Sequence, residues 1–229
     1  MTHDFTHRTL SRKFVLQRRI GIGGMATVYE ATNLQVDKRI AVKVLNPEFV
    51  THDTLLIRFK QEAKSAARLS HPNIVQIHDF DIDDNLPYIV MEYLEGCSLS
   101  ELIHRNQAPL PWQRVVDLSA QVCAALHYAH SRNILHRDIK PSNVFLYVDP
   151  ERTGDHVKLL DFGIAKVHQL EADDPNPLTR PSQVPGTPEY MAPEQAQGHP
   201  CDARTDLYSV GVMMYRMLTG RLPFYAATP

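Results

Sequence analysis

Four side chains in the middle of the chain have types and spacing suited to metal-assisted proton transfer. Asp138, Lys140 and Asn143 lie in HRDIKPSNVF, and Asp161 follows the apolar run VKLL. A carboxylate can act as a general base, a lysine can neutralise an anion, and carboxylate and amide oxygens are hard ligands of the kind Mg²⁺ requires. Isolated Asp and Asn residues usually form turns. The five-residue step from Asp138 to Asn143 and the strand-like run before Asp161 favour the catalytic interpretation.

A second group of residues, nearer the N-terminus, could bind phosphate. In GIGGMATVYE, Gly21 and Gly23 have no side chains to hold the backbone away from a ligand, so backbone N–H groups can approach phosphate oxygens. Ala26 stands where a G-x-G-x-x-G pattern has its third glycine. Alone, the stretch is a weak signal, because ordinary hairpins and dinucleotide-binding folds also use tight glycine turns.

The elements that must position these groups follow from hydrophobic periodicity. Residues 13–32 predict two strands around the glycine turn, and RIAVKVL at 39–45 predicts a third strand with Lys43 on one face. Residues 53–69 predict a helix whose apolar stripe includes Glu62. A carboxylate on an apolar stripe costs several kcal/mol unless a cation meets it.

Further along, the pattern becomes mainly helical. HPNIVQIHDF and PYIVMEYL predict two more strands; a helix follows with Val115, Leu118 and Val122 on one face, and 206–218 predicts a helix that is apolar nearly all round. The proline-rich, polar stretch at 171–186 predicts a long loop.

Taken together, these motifs resemble the eukaryotic-like serine/threonine protein kinases, most closely their bacterial branch. The glycine loop, Lys43, Glu62, HRDIKPSN, DFG at 161–163 and APE at 192–194 occur in the family's order, and the resemblance covers residues 13–224. It implies an α+β, bilobal protein-kinase-like fold: a small antiparallel-sheet N-lobe with one long helix, and a mainly helical C-lobe. On this basis residues 1–12 are interpreted as an N-terminal tail, 13–94 as the N-lobe and 95–229 as a partial C-lobe, truncated after its central buried helix.

The resemblance also implies a role for each chemical residue. Transfer of a γ-phosphoryl group needs charge neutralised and atoms aligned. Lys43, held by Glu62, would pair the α- and β-phosphates of ATP, while Asp138 would be the base and Lys140 would meet the γ-phosphate. Asn143 and Asp161 would hold Mg²⁺, with Mn²⁺ as an alternative.

The adenine site is implied by the same resemblance. The family pattern places Ile20, Val28, Ala41 and Phe145 around the ring, assigns hydrogen bonds with its edge to backbone at Glu92 and Leu94, and makes Met91 the residue controlling the back pocket. Each of these apolar residues could equally be plain core.

Substrate class and regulation follow from the loop sequences. Lys140 and Thr187 in GTPEY resemble kinases that act on serine and threonine in proteins, and the segment GTPEYMAPE disfavours a small-molecule kinase. Arg137 precedes the catalytic aspartate, where an arginine commonly receives a phosphate from the loop between DFG and APE. Thr179 is the first choice of phosphate acceptor and Ser182 the second, and an ordinary solvated loop threonine is the competing interpretation of Thr179.

Composition limits the remaining function classes. The chain has 229 residues and a formal net charge of −2, so no global field points to nucleic acid or an anionic membrane. Three scattered cysteines favour a reducing compartment, and His127 and His130 are interpreted as helix-face residues and not metal ligands. A soluble, cytoplasmic chain is expected, with protein substrates, self-association for trans-autophosphorylation, and membrane attachment only through segments absent from this sequence.

Two hypotheses from different classes remain. In the first, the parent protein is an active kinase, since all of the chemical residues are present. In the second, this 229-residue form is a weakly active or inactive nucleotide-binding or interaction module with a kinase fold, because its C-terminal lobe is incomplete.

Overall fold

The computed structural model describes residues 4–50, 52–106, 109–148, 153–162 and 188–224. The chain divides into two compact units, the first formed by Met1–Ser70 and Val75–Glu95 and the second by His71–Ile74 and Gly96–Pro229. Each unit carries its own antiparallel sheet.

The first unit is built on a six-stranded sheet with the strand order β1-β2-β3-β4-β6-β5. Its strands are β1 Thr9–Leu10, β2 Phe14–Ile22, β3 Ala26–Asn33, β4 Lys38–Leu45, β5 Ile77–Asp83 and β6 Leu86–Glu92. The strands predicted around the glycine turn and at 39–45 are β2, β3 and β4. The register aligns Val28 with Lys43 and Ala41 with Met91, so these four side chains share one face of the sheet.

The opposite face of this sheet carries a hydrophobic cluster that the N-terminal segment covers. The cluster consists of Leu10, Phe14, Leu16, Tyr29, Ala31, Ile40, Val42, Val44, Leu86, Tyr88 and Val90. Leu10 is fully buried, and the backbone N–H of Phe5 donates to the Tyr29 hydroxyl at 3.2 Å. Residues 4–12, which the sequence-based division set apart as a tail, thus pack on the sheet.

Helix α1, Asp53–Ala67, packs on the face that carries Lys43. Its sequence contains neither glycine nor proline, and Phe59, Ala63 and Ala66 are buried at helical spacing. Phe59 is fully buried between the helix and the sheet, so Phe59→Ala would cost about 3–5 kcal/mol of stability. Glu62 lies on the same buried stripe, as its spacing predicts.

The second unit combines a small three-stranded sheet with four helices among its described residues. The sheet order is β7-β8-β9, with β7 Gly96–Ser98, β8 Val144–Tyr147 and β9 His156–Leu159. The helices are α2 Leu99–Asn106, α3 Trp112–His130, α4 Pro193–Ala196 and α5 Ala203–Thr219. Short 3₁₀ turns precede β8 and α4, at Pro141–Asn143 and Pro188–Tyr190.

Helices α3 and α5 supply much of the core of this unit. Their buried apolar side chains are Val115, Leu118, Val122, Ala125, Leu126, Ala129, Val210, Val212, Met213 and Met217. Helix α5 begins where the Asp202 carboxylate accepts from the Arg204 N–H at 2.8 Å. It ends at Gly220, whose φ of 74° is a left-handed conformation that glycine adopts without strain.

The two predicted long helices of this unit are present, although α5 is not covered all round. Leu207, Tyr215 and Leu218 are 50%, 38% and 41% exposed. Within the described ranges, no helix has the length and apolar character needed to cross a bilayer.

Candidate active site

The candidate residues of the first unit centre on a buried ion pair. Lys43 Nζ lies 3.0 Å from Glu62 Oε1, and the two side chains are only 8% and 5% exposed. Strand β4 carries the lysine and α1 carries the glutamate, so the conformational freedom of both side chains is restricted. The contact expected from the sequence is therefore formed, and it leaves a cation fixed on one face of the sheet.

The glycine loop is closed by a tight turn between β2 and β3. The Gly23 N–H donates to the Ala26 carbonyl at 2.9 Å, and a Cβ on Gly23 would approach that carbonyl oxygen to 3.1 Å. Asn46 supports the turn, because its amide donates to the Gly24 carbonyl at 3.3 Å and accepts from Thr27 Oγ1 at 3.0 Å.

Ala26 belongs to the core and not to the exposed tip of this turn. It is 5% exposed and packs in a cluster with Leu45, Phe59, Ala63 and Ile89. The residue at the third glycine position therefore contributes a buried methyl group.

The predicted adenine-binding residues of the first unit lie on the same face as Lys43 or beside it. Val28 and Ala41 are on this face, Ile20 near the end of β2 is 40% exposed, and Met91 lies in β6. Glu92 ends β6, where its carboxylate accepts from the Gln76 N–H at 2.7 Å. Leu94 follows as a half-buried residue, and Phe145 lies in β8 of the second unit, also half-buried.

The candidate residues of the second unit surround the Asp138 carboxylate. Lys140 Nζ lies 2.8 Å from Asp138 Oδ2, and the Asn143 amide donates to the same oxygen at 3.0 Å. Asn143 also donates to the Asp138 carbonyl at 2.8 Å, and the turn Pro141–Asn143 holds its backbone. These contacts orient one carboxylate oxygen and keep a cation beside it. Such an arrangement can place a proton acceptor next to a group that offsets the charge of an anion.

The two predicted metal ligands are brought close by the backbone. The Leu160 N–H donates to the Asn143 carbonyl at 2.9 Å, so the residue that precedes Asp161 is held against Asn143. Because the Asn143 nitrogen donates to Asp138, its Oδ1 faces away from that residue. An amide oxygen and a carboxylate form a donor set that fits a hard divalent cation. Among the described residues there is no cluster of three or more His, Cys, Asp or Glu side chains that could hold a metal.

A buried aspartate on α5 anchors the backbone of the predicted catalytic loop, residues 136–143. Asp206, 1% exposed, accepts from the N–H groups of His136 at 2.9 Å and Arg137 at 2.7 Å, and its Oδ2 lies 2.7 Å from His130 Nε2. Burial alone raises the pKa of Asp206, but the His130 hydrogen bond, the nearby His136 and the two backbone donors outweigh it and hold the pKa below its ordinary value. The loop is therefore tied to α5 through an ionised carboxylate.

The imidazole of His136 joins the loop to the segment that carries Asp161. His136 is fully buried, with Nε2 2.8 Å from the Leu160 carbonyl and Nδ1 3.3 Å from the Asp138 N–H. A carbonyl only accepts and a backbone N–H only donates, so the contacts fit the tautomer protonated at Nε2. The Phe162 ring packs against the imidazole with centroids 4.7 Å apart.

Arg137 and the APE segment meet in the second unit. Arg137 has a φ of 64°, and its carbonyl accepts from Gln195 Nε2 at 2.7 Å. Glu194 accepts from the Thr205 hydroxyl at 2.8 Å. The predicted residues Thr179, Ser182 and Thr187 lie outside the described residues.

Several positioning residues were missed by reasoning from the sequence. The sequence predicts Asp206 only as the start of a helix and His130 only as a helix-face residue. In the structure Asp206 binds the backbone of His136 and Arg137, and His130 binds Asp206. Asn46 and Gln195 likewise bind backbone carbonyls of functional loops. A polar residue inside an apolar helix was the available signal for Asp206, and no pattern in the sequence singles out Asn46 or Gln195.

Comparison with known proteins gives a family for this arrangement. Residues 14–229 match the family model described as the protein kinase domain. The chain is 42% identical over 220 residues to a probable serine/threonine-protein kinase of Clostridium acetobutylicum, covering 96% of this chain and 32% of that protein. It is 44% identical over 225 residues to the serine/threonine-protein kinase pkn3 of Myxococcus xanthus, covering 97% of this chain and 40% of that protein. The chain thus spans less than half the length of these relatives.

A solved structure gives the same picture at the level of the fold. The kinase domain of Mycobacterium tuberculosis PknI matches with a TM-score of 0.74 at 29% sequence identity. The match covers 98% of this chain and 82% of that one.

Proposed function

Because the chain belongs to the protein kinase domain family, we propose that it transfers the γ-phosphoryl group of Mg-ATP to serine and threonine hydroxyls of proteins. Protein kinases use ATP with a divalent metal ion. The observation that carries the proposal is the Asp138 carboxylate, which is held by both Lys140 and Asn143.

Asp138 receives the proton of the substrate hydroxyl in this mechanism. The hydroxyl oxygen forms a bond to the γ-phosphorus while the bond between that phosphorus and the β,γ-bridging oxygen breaks, and ADP leaves with the electron pair. Asn143 orients the carboxylate, and Lys140 offsets negative charge on the transferring group. When bound, Mg²⁺ at Asn143 and Asp161 would neutralise phosphate charge.

The first unit supplies the residues that bind the nucleotide. Lys43, fixed by Glu62, pairs with the α- and β-phosphates, and the N–H groups of the glycine loop cover them. Val28 and Ala41 offer a smooth apolar surface to the adenine ring, and the backbone at Glu92 and Leu94 hydrogen-bonds its edge. The support is that Lys43, Val28 and Ala41 share one face of the sheet.

Regulation is expected to depend on the loop between DFG and APE. Phosphothreonine carries about −1.5 to −2 charges, enough to order a loop through a guanidinium. Thr179 remains the proposed acceptor, Ser182 the second choice and Arg137 the proposed receiver. Thr187 is the proposed partner of the catalytic loop and not a switch residue. Autophosphorylation in trans would make the rate of self-activation rise with protein concentration.

Incubation of the purified chain with labelled ATP and Mg²⁺, alone and with a generic basic protein, tests the proposal. We expect label on serine and threonine, and loss of that label in Asp138→Asn and Lys43→Met. The matched control is Asp117→Asn, an exposed carboxylate of α3, which should transfer phosphate at the wild-type rate.

Nucleotide binding without transfer would instead support the second hypothesis, a binding module with a kinase fold. Transfer that persists in Asp138→Asn would contradict the role given to that carboxylate.

A further inference from the structure

A chain of alternating charges crosses the first unit beside the predicted nucleotide surface. Arg18 of β2, Glu30 of β3 and Arg39 of β4 are followed in space by Glu95, which comes shortly after β6. None of these residues belongs to the phosphate-binding or proton-transfer machinery described above.

Glu30 lies at the centre of this chain and is held by two guanidinium groups. Arg18 Nη2 lies 2.6 Å from Glu30 Oε2, and Arg39 Nε lies 3.0 Å from Glu30 Oε1. The Glu30 side chain is only 9% exposed, and each of its two oxygens lies beside a guanidinium group. The contact between Glu30 Oε1 and Arg39 Nε holds the guanidinium group of Arg39 at its Nε atom.

Arg39 uses a second nitrogen atom and the face of its guanidinium group to hold the segment after β6. Its Nη1 lies 2.6 Å from Glu95 Oε1, and its Cζ lies 4.2 Å from the centroid of the Tyr93 ring. The Tyr93 hydroxyl accepts from Arg18 Nη2 at 3.3 Å. One guanidinium therefore bridges a buried carboxylate of the sheet to both an aromatic ring and a carboxylate of the segment Glu92–Glu95.

The register places this bridge on the nucleotide face of the sheet. Glu30 is paired with Ala41, and Ala41 with Met91, so the three side chains point to the same side. Arg39 precedes Ala41 by two residues on β4 and points to that side as well. The charge chain is thus a continuation of the row that carries Ala41 and Lys43.

We propose that Arg39 is a positioning residue for nucleotide binding. It holds the backbone of residues 92–95 in the position in which that backbone can hydrogen-bond with adenine. This inference rests on the proposed function, because that function assigns adenine to the backbone of Glu92 and Leu94. A segment fixed before the ligand arrives loses less conformational freedom on binding. Arg39 acts on the adenine end of the nucleotide and leaves the phosphate end to Lys43.

Calorimetric titration of the full chain with two probes, adenosine and magnesium tripolyphosphate, separates these ends. In Arg39→Ala, the Kd for adenosine should rise about tenfold, on the scale of losing a charge-assisted contact, while the Kd for tripolyphosphate should stay within about twofold. Arg39→Lys keeps the charge without the planar guanidinium group, so its Kd for adenosine should lie between those of Arg39→Ala and wild type. Steady-state kinetics should show a raised KM for ATP with kcat within about twofold of wild type.

The matched control is Lys38→Ala, which removes a cation from the adjacent position on β4, on the other face of the sheet. It should leave adenosine binding unchanged. If Arg39→Ala cannot be purified in folded form, Glu95→Gln tests the outer half of the bridge and should raise the adenosine Kd about threefold, as expected for weakening one partly exposed charge pair.

Wild-type adenosine affinity in Arg39→Ala, or equal weakening of both probes, would overturn the inference. Loss of phosphoryl transfer in a wild-type chain that binds adenosine would count against the proposed function and not against the role of Arg39.

Discussion

The two units hold their functional groups by different means. In the first unit, Lys43 is fixed by the Glu62 side chain, 19 residues away on the helix that packs against its strand. In the second, the backbone around Arg137 is fixed by Asp206, about 70 residues later in the chain. The ion pair positions one side chain, whereas the buried aspartate positions a stretch of main chain. Loss of Asp206 should therefore damage both stability and the loop, while loss of the ion pair should mainly damage function.

Asp206→Ala should have the largest effect. It leaves the N–H groups of His136 and Arg137 and the His130 ring without an acceptor in a buried region, and the free energy of unfolding should fall by about 3–5 kcal/mol. Urea denaturation followed by circular dichroism measures the change.

Asp117→Ala, an exposed carboxylate in α3 of the same unit, provides the control and should change stability by less than about 0.5 kcal/mol. Equal, small effects of the two substitutions would show that Asp206 does not anchor the loop.

Changes to the ion pair should separate stability from function. Glu62→Gln leaves a buried ammonium facing an amide and should cost about 2 kcal/mol of unfolding free energy. The double variant Lys43→Met, Glu62→Leu should recover most of that stability, because apolar residues of similar size often replace a buried ion pair without loss. Phosphate transfer should be lost in this double variant, as in Lys43→Met alone.

Denaturation curves measure the stability of wild type, Glu62→Gln and the double variant, and labelled-ATP assays on the same proteins measure phosphate transfer. A double variant less stable than Glu62→Gln would mean that the pair contributes to the fold beyond positioning the lysine.

Acid titration should reveal the anchor through its pH dependence. The pKa of Asp206 is lowered in the folded protein, so its contribution to stability is present above its unfolded value, near 3.8, and is lost as the pH falls through the folded value. The difference in unfolding free energy between wild type and Asp206→Asn should therefore shrink as the pH is taken below about 4. This effect should be smaller than that of Asp206→Ala, because protonation leaves the side chain in place.

Unfolding curves at successive pH values, from neutral to acidic, provide the measurement. A difference that stays constant across that range would rule out an ionised Asp206.

The first unit could be predicted from the sequence more fully than the second. Strand alternation places Lys43 on a defined face, and helical spacing places Glu62 on a buried stripe. The pairing of the two residues comes from the resemblance to the family. The docking of Leu10 under the sheet and the reach of Asp206 to His136 depend on the tertiary fold, which local periodicity does not encode. The roles of the site residues and of the loop that contains Thr179 remain predictions that the experiments above address.

The smallest expected effect concerns Ala26, the residue at the third glycine position of the loop, which is buried in the core. Ala26→Gly removes a buried methyl from the cluster around Phe59 and adds backbone freedom at the start of β3. The free energy of unfolding should fall by about 1–2 kcal/mol, while nucleotide affinity should change by less than about threefold, since the turn hydrogen bond uses the Ala26 carbonyl and not its side chain. Gly24→Ala is the control, because a Cβ there meets nothing within 4 Å. A large loss of nucleotide affinity with unchanged stability would mean that Ala26 contacts the ligand directly. The glycine loop would then position the ligand in the first unit, as Asp206 positions the main chain in the second.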